Sequence, residues 1–363
     1  MKKLSTLLVL TLISAFTFAQ CNGRYQTEIF TSTDVTTVNY SDVYTGLEHR
    51  MDIYTASGDT VINRPVIFYL HGGSFYAGDK SSSDCVDFCN AFAKRGYVAV
   101  SLNYRLANII SFLTSNTEQY KAVLKAVADL KAGIRYFRKD YANGDTYGID
   151  PNTIFIGGYS AGAVATLHTA FIDSISDLSA TIQVLLPAIG GTLEGDSGND
   201  GFSSQVSAVY SFAGGVNETY WIDSNDEPMV SCQGTADQTV SYNCAPALNN
   251  PNILTLCGSG EMHARADSVG LLNDHLSFQG EDHNWAASGN SNSKFIQAVN
   301  FTSDFLYNLL PCNQTTSISQ NFQNEKMLIR IIDVLGRESK LTYNAPLFYI
   351  YNDGTVEKKL IIK

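Results

Sequence analysis

The stretch TIFIGGYSAGAVATLHTA (residues 153–170) decides the fold. Its opening, TIFIG, is short, apolar and β-branched, the composition of a strand buried on both faces. Its last ten residues, AGAVATLHTA, are rich in alanine and read as a helix. Between them lies Gly158-Tyr159-Ser160-Ala161-Gly162, a G-x-S-x-G pentapeptide. A serine on a strand-to-helix turn takes a strained backbone, and small neighbours let strand and helix pack closely around it. The turn lifts the hydroxyl to the carboxyl end of the sheet, where open α/β sheets place their sites. The five letters alone fit an ordinary glycine-rich turn. Set between strand and helix, they predict a nucleophile at Ser160.

The same alternation extends in both directions. Residues 66–70 (VIFYL) and 97–102 (YVAVSL) read as buried strands with a helix between them at about residues 84–94. In residues 118–139 apolar side chains recur at Tyr120, Val123, Leu124, Val127, Ile134 and Phe137, a helical stripe. Asp150-Pro151 breaks that pattern off. Later strands are expected at residues 206–212, 229–232 and 275–278, and a last helix at 293–310. Residues 38–54 alternate around Gly46 and read as a leading hairpin. Strands alternating with helices imply an α/β fold, with a mostly parallel central sheet covered by helices on both faces.

A serine hydroxyl needs a base, an orienting acid and donors for the oxyanion. The strand VIFYL runs into His71-Gly72-Gly73-Ser74-Phe75. Backbone N–H groups of Gly73 and Ser74, with that of Ala161, are the expected oxyanion hole; His71 is expected to hold the loop. Of six histidines, His49 and His71 precede the turn. His168 follows Ser160 on the same helix and belongs to the core. His263 lies in a helical stretch, and His275 opens a strand, at the wrong end. His283 follows the strand HLSFQG directly, at the carboxyl end, and is the expected base. Asp237 follows MVSCQGTA in the same way and is the expected acid. Asp226 precedes that strand, Asp282 adjoins the base itself, and Asp223 is the runner-up. Phe75, Tyr159 and Trp285 are expected to touch substrate, although packing explains Trp285 and Trp221 equally well. The polar loop at residues 190–204 is expected to border the cleft. No metal or organic cofactor is implied.

Composition narrows the partners. Among 363 residues 16% are charged, 44% are hydrophobic and the formal net charge is −11. So acidic a chain repels phosphate backbones and anionic membrane surfaces, which excludes nucleic acid as a partner. Lys2 and Lys3 precede an apolar run to Phe18, and Ala19 suits a cleavage site, so residues 1–19 read as an export signal. About 15 apolar residues is short for a bilayer span, and no later segment is long enough, so no stable membrane span is expected. Lipidation at Cys21 ranks below cleavage after Ala19, because bulky Gln20 precedes it. Seven cysteines suit an oxidising compartment and leave at least one unpaired. Cys85 and Cys89 are one helical turn apart, poor geometry for a bond to each other, so each is expected to reach another segment. No spacing matches a zinc site. Residues 311–325 are polar and linker-like, and residues 326–363 read as a small β appendage.

With these residues assembled, residues 36–310 resemble the α/β-hydrolase superfamily, and within it bacterial carboxylesterases of the feruloyl-esterase-like and type-B-like groups. The matching stretches are HGGSF (71–75), NYRL (103–106), YGIDPNTI (147–154), GGYSAGA (157–163), GTADQTV (234–240) and GEDHNW (280–285). The resemblance implies Ser160 as nucleophile, His283 as base and Asp237 as orienting acid. Ser74 stands where many relatives carry a third glycine. The tail, RIIDVLGRE (330–338) and APLFYIYNDGTVEKKLIIK (345–363), resembles the C-terminal sorting domain of type IX secretion substrates in Bacteroidetes, without a clear first strand. That resemblance implies the type IX machinery as a partner, outer-membrane export and removal of the tail; a substrate-binding β module is the alternative. The expected protein is a secreted serine carboxylic-ester hydrolase for small or polymeric esters, such as plant cell-wall feruloyl or acetyl esters or polyesters. A serine peptidase of the same fold and a non-catalytic binding protein of that fold are its rivals.

Overall fold

The two residue runs expected to be buried on both faces form the middle of an eight-stranded sheet. In the computed structural model, which describes residues 21, 23–313, 328–333, 346–351 and 356–360, every residue of strand Arg64–Leu70 and every residue of strand Val98–Leu102 is buried. Numbered along the chain, the strands are β1 (Thr33–Asn39), β2 (Arg50–Ala56), β3 (Arg64–Leu70), β4 (Val98–Leu102), β5 (Ile149–Tyr159), β6 (Ala208–Phe212), β7 (Met229–Gly234), β8 (Cys244–Pro246), β9 (Thr255–Cys257) and β10 (Asn273–Phe278). The sheet order is β1-β2-β4-β3-β5-β6-β7-β10. From β4 to β10 every neighbouring pair is parallel. The leading hairpin β1–β2 joins the edge antiparallel, registering Thr33 with Ala56 and Asn39 with Arg50. Such a sheet is buried on both faces, hence the unbroken apolar strands.

The helices are α1 (Ser83–Lys94), α2 (Ile109–Thr114), α3 (Asn116–Ala142), α4 (Ala161–Phe171), the single turn α5 (Ala180–Gln183), α6 (Ser259–Val269) and α7 (Ser293–Leu309). The helical stripe expected at residues 118–139 is the inner face of α3, which the Ser115 hydroxyl caps by accepting the Glu118 N–H. Helix α3 ends at Ala142, and β5 begins at Ile149, so Asp150-Pro151 lies at the start of the strand. Two apolar cores result. One contains Val66, Phe68 and Leu70 with Ala128, Ile134 and Phe137 of α3. The other contains Ile67 and Tyr69 with Phe88 and Phe92 of α1 and Phe295 of α7. Alternate residues of β3 thus face opposite layers, as a pleated strand requires.

Two disulfides occur among the described residues. Cys21–Cys312 joins positions 291 residues apart, and Cys244–Cys257 ties β8 to β9. The first uses the thiol that lipidation would need. Cys85, Cys89 and Cys232 are free and buried. The expectation that Cys85 and Cys89 each pair with another segment is therefore overturned: both pack as apolar side chains in the α1 core. No helix among the described residues is long and apolar enough to cross a membrane.

The chain divides into two compact units, residues 1–314 and 315–363. In the second, β11 (Leu328–Ile332), β12 (Pro346–Tyr351) and β13 (Val356–Leu360) form an antiparallel sheet in that order. Leu347 and Tyr349 are buried, and the Lys359 ammonium sits 4.8 Å from the centre of the Tyr349 ring. The segment read as an export signal and most of the linker lie outside the described residues.

Candidate active site

Strand β5 delivers Ser160 to the top of the sheet on a single strained residue. Ser160 has φ 53° and ψ −119°, a positive φ that non-glycine residues rarely adopt. Its N–H donates to the Phe212 carbonyl at 2.9 Å, and its own carbonyl accepts the Val164 N–H at 2.9 Å, so strand and helix both clamp the turn. The flanking glycines are required by proximity. A Cβ at Gly158 or at Gly162 would collide with the Leu70 carbonyl of β3. Two backbones therefore approach within a distance that only glycine permits.

Three loops at the carboxyl ends of β5, β7 and β10 bring Ser160, Asp237 and His283 together. Ser160 Oγ lies 2.8 Å from His283 Nε2, and His283 Nδ1 lies 2.7 Å from Asp237 Oδ2. All three are buried, at 6%, 6% and 5% exposure for Ser160, His283 and Asp237. Asp237 is itself fixed: its Oδ1 accepts the N–H groups of Thr239 and Val240 at 2.8 and 2.9 Å. A carboxylate so held sets the imidazole tautomer, with Nδ1–H donating to Asp237 and the Nε2 lone pair facing the serine. The other carboxylates weighed are elsewhere. Asp223 and Asp226 lie with Asp173, before β7. Asp282 accepts the Asn284 N–H within its own turn.

The loop after β3 turns sharply beside the serine. Gly73, Ser74 and Phe75 have φ of 116°, 53° and 62° in succession. Gly73 closes the turn by accepting the N–H groups of Tyr76 and Ala77. Ala161 opens α4, so its N–H belongs to the first turn, where helix donors have no intrahelical partner. His71 stacks on Tyr104 at 4.3 Å, its Nδ1 lies 2.7 Å from the Gly72 carbonyl, and its own carbonyl accepts the Tyr104 hydroxyl at 2.8 Å. Burial holds the His71 pKa below its ordinary value, so the ring is neutral and braces the loop.

A narrow cleft opens at Ser160. Ser74, Phe75 and Ala161 form its reactive end. Phe112, Val123, Val164, Val240, Leu248 and Ile253 make most of the remaining wall. That wall draws on five separate stretches of chain. Of the side chains expected to touch substrate, Phe75 lines the cleft. Tyr159 instead lies behind the base, donating its hydroxyl to the His283 carbonyl at 3.1 Å. Trp285 is 2% exposed and packs against Phe212 and Phe278 in the α1–α7 core, so its expected contact with substrate is corrected to packing. The loop at 190–204 is also corrected. Asp196 and Ser197 bind Arg105, and Asn199 donates to the Tyr40 and Ala132 carbonyls, which lash the loop to α3 and away from the cleft.

Parts of the chain are similar to known proteins. The family model BD-FAE matches residues 51–214. Gut esterase 1 of Caenorhabditis briggsae is 31% identical over 114 residues, 31% of this chain and 19% of that protein. The chain thus spans about a fifth of the length of such curated relatives. Among solved structures, a truncated carbohydrate esterase from gut microbiota is 20% identical, covers 78% of this chain and 97% of its own, and superposes with a TM-score of 0.52. The propionate-bound Est2 esterase of Thermogutta terrifontis is 19% identical, covers 76% and 94%, and reaches 0.55. Sheet order, strand-to-helix turn and structural likeness agree that this chain has the α/β-hydrolase fold.

Proposed function

We propose that the chain hydrolyses carboxylic esters by two-step acyl transfer at Ser160. The observation that carries this reading is the unbroken hydrogen-bonded series from Asp237 through His283 to Ser160, ending at an apolar cleft. His283 Nε2 takes the serine proton as Oγ attacks the ester carbonyl, and Asp237 stabilises the imidazolium that forms. The carbonyl oxygen gains negative charge and is held by the Ala161 N–H and by N–H groups of the Gly73–Ser74 turn. His283 then returns the proton to the departing alcohol. Water, activated by the same histidine, cleaves the acyl-enzyme.

The match to the BD-FAE family and the apolar cleft support an ester in preference to a peptide. Plant cell-wall feruloyl or acetyl esters and polyesters are the proposed substrates. We further propose that residues 1–19 direct export, that residues 311–325 link, and that residues 326–363 address the chain to the type IX machinery. Two disulfides support an oxidising destination.

Hydrolysis of p-nitrophenyl acetate by wild type and Ser160→Ala tests the central step. Loss of turnover in a folded Ser160→Ala protein is expected; retained turnover overturns the assignment. A panel of feruloyl esters, acetylated xylan and an aromatic polyester ranks the substrates.

A further inference from the structure

The base of the triad sits on a loop whose own backbone holds it at a single point. His283 lies between β10, which ends at Phe278, and α7, which opens at Ser293. Among the described residues, the His283 backbone makes one hydrogen bond: its carbonyl accepts the Tyr159 hydroxyl at 3.1 Å. The other bonds of the turn belong to its neighbours. Glu281 donates to the Phe278 carbonyl and accepts the Ala236 N–H, and the Asn284 N–H goes to the Asp282 side chain. The imidazole is held by Asp237 at Nδ1, 2.7 Å away. A single bond at one ring nitrogen is a pivot, and a second hold on the backbone is what fixes where Nε2 points.

Tyr159 is well placed to supply that hold. It is the last residue of β5, paired with Phe212 of β6, and Ser160 follows it directly. The Ser160 turn is itself clamped, its N–H to the Phe212 carbonyl and its carbonyl to the Val164 N–H. The Tyr159 ring centre lies 5.2 Å from that of His283, at an interplanar angle of 32°. The ring leaves no room for a side chain at Gly72, where a Cβ would stand 2.8 Å from Tyr159 Cδ1. Burial, with Asp84 and Asp237 adding negative charge, pushes the phenol pKa up, so the hydroxyl stays protonated and donates. Tyr159 lines no part of the cleft.

We propose that Tyr159 is a positioning residue for the reaction: its hydroxyl, anchored beside the nucleophile, fixes the His283 backbone so that Nε2 stays in line with Ser160 Oγ through both proton transfers. The inference rests on the serine-esterase reading above and adds to it a residue that does not meet substrate. The bonds made and broken are unchanged; Tyr159 sets how well the base is aimed when they form.

The test is pre-steady-state and steady-state hydrolysis of p-nitrophenyl acetate by wild type, Tyr159→Phe and Tyr159→Leu, expressed per site labelled to completion by a fluorophosphonate. Tyr159→Phe keeps the ring and loses the hydroxyl. It should lower kcat about tenfold, the scale of one net hydrogen bond. Acylation and deacylation each pass a proton through His283, so burst and steady-state rates should fall in proportion and KM should stay within about twofold. Tyr159→Leu also removes the ring from beside the imidazole and should cost about a hundredfold, the scale of a misplacement of about 1 Å. Either variant alone carries the comparison, and counting labelled sites keeps a loss of folded protein out of the rate. A residue that only packs would reduce the number of labelled sites and leave kcat per site at the wild-type value. That result, or a loss confined to KM, overturns Tyr159 as a positioning residue and leaves the esterase reading intact. A folded wild type that neither labels nor turns over overturns both.

Discussion

Among the described residues, two serine–histidine series occur, one at the carboxyl end of the sheet and one sealed in the body of the fold. At the carboxyl end of the sheet, Ser160, His283 and Asp237 are linked at 2.8 and 2.7 Å. Below, in the body of the fold, Ser231 Oγ lies 2.6 Å from His263 Nε2, and His263 Nδ1 lies 2.6 Å from Asn273 Oδ1. By hydrogen-bond distance the second series is the tighter. Yet Ser231 sits in the run of β7 with no exposure, and its hydroxyl is 2.8 Å from that of Ser259. It does not border the cleft. No strained turn lifts it. Linked side chains alone therefore do not make a nucleophile. Access, the turn that aims the hydroxyl, and donors for the developing oxyanion separate chemistry from packing.

The contrast can be broken most decisively at Ser160. Replacement by alanine should reduce kcat for p-nitrophenyl acetate roughly a million-fold, the scale for losing an activated serine. Ser231→Ala should leave kcat unchanged; an equal loss there would erase the distinction. Asp237→Asn should cost about ten-thousand-fold, because an amide no longer fixes the tautomer or stabilises the imidazolium. An unaffected rate would overturn Asp237 as the orienting acid.

Stability measurements sharpen the comparison from the other side. Burial pushes the His263 pKa down to about 4 from 6.5. A depressed histidine is neutral in the fold, so its contribution is present above pH 6.5 and is lost as pH falls through 4. Urea unfolding of His263→Gln should show a shallower loss toward acid than wild type; parallel curves would refute it. Ser231→Ala should cost about 1–3 kcal/mol at neutral pH, because the buried His263 Nε2 loses its partner. A pH effect of opposite sign is expected at Asp226, whose pKa burial raises from 3.8 to about 7, with Asp173, Asp223 and Glu227 adding like charge. A raised carboxylate stabilises below its unfolded pKa and loses that contribution as pH rises through 7. Asp226→Asn should therefore melt above wild type beyond about pH 7, and the gap should close toward pH 4. A gap that widens toward acid would contradict this.

Much of the site was legible because its local geometry is written in local sequence. Gly158 and Gly162 announce a close approach before Leu70 is known to be the backbone approached. Ser160, Asp237 and His283 each follow an apolar run, so a rule about strand ends suffices to choose them. Trp285 illustrates the limit. Two residues past His283 it can face the cleft or the core, and only the packing of Phe212 and Phe278 shows that it takes the core. Tyr159 is adjacent to the serine in sequence, yet the strand's alternation turns it behind the imidazole. The pairing of Cys21 with Cys312 spans the whole first unit, a separation no local pattern encodes.

The sequence by itself determined the alternation of strands and helices, the turn at Ser160, and the order of Ser160, Asp237 and His283 at the carboxyl ends of strands. Each of these follows from steric and hydrophobic constraints among neighbours in the chain. Only the tertiary structure decided which residues wall the cleft and that Ser231 and His263 are buried in the body of the fold. Those features depend on surfaces assembled from distant segments. Burial and access are properties of the packed whole, and no stretch of sequence carries them alone.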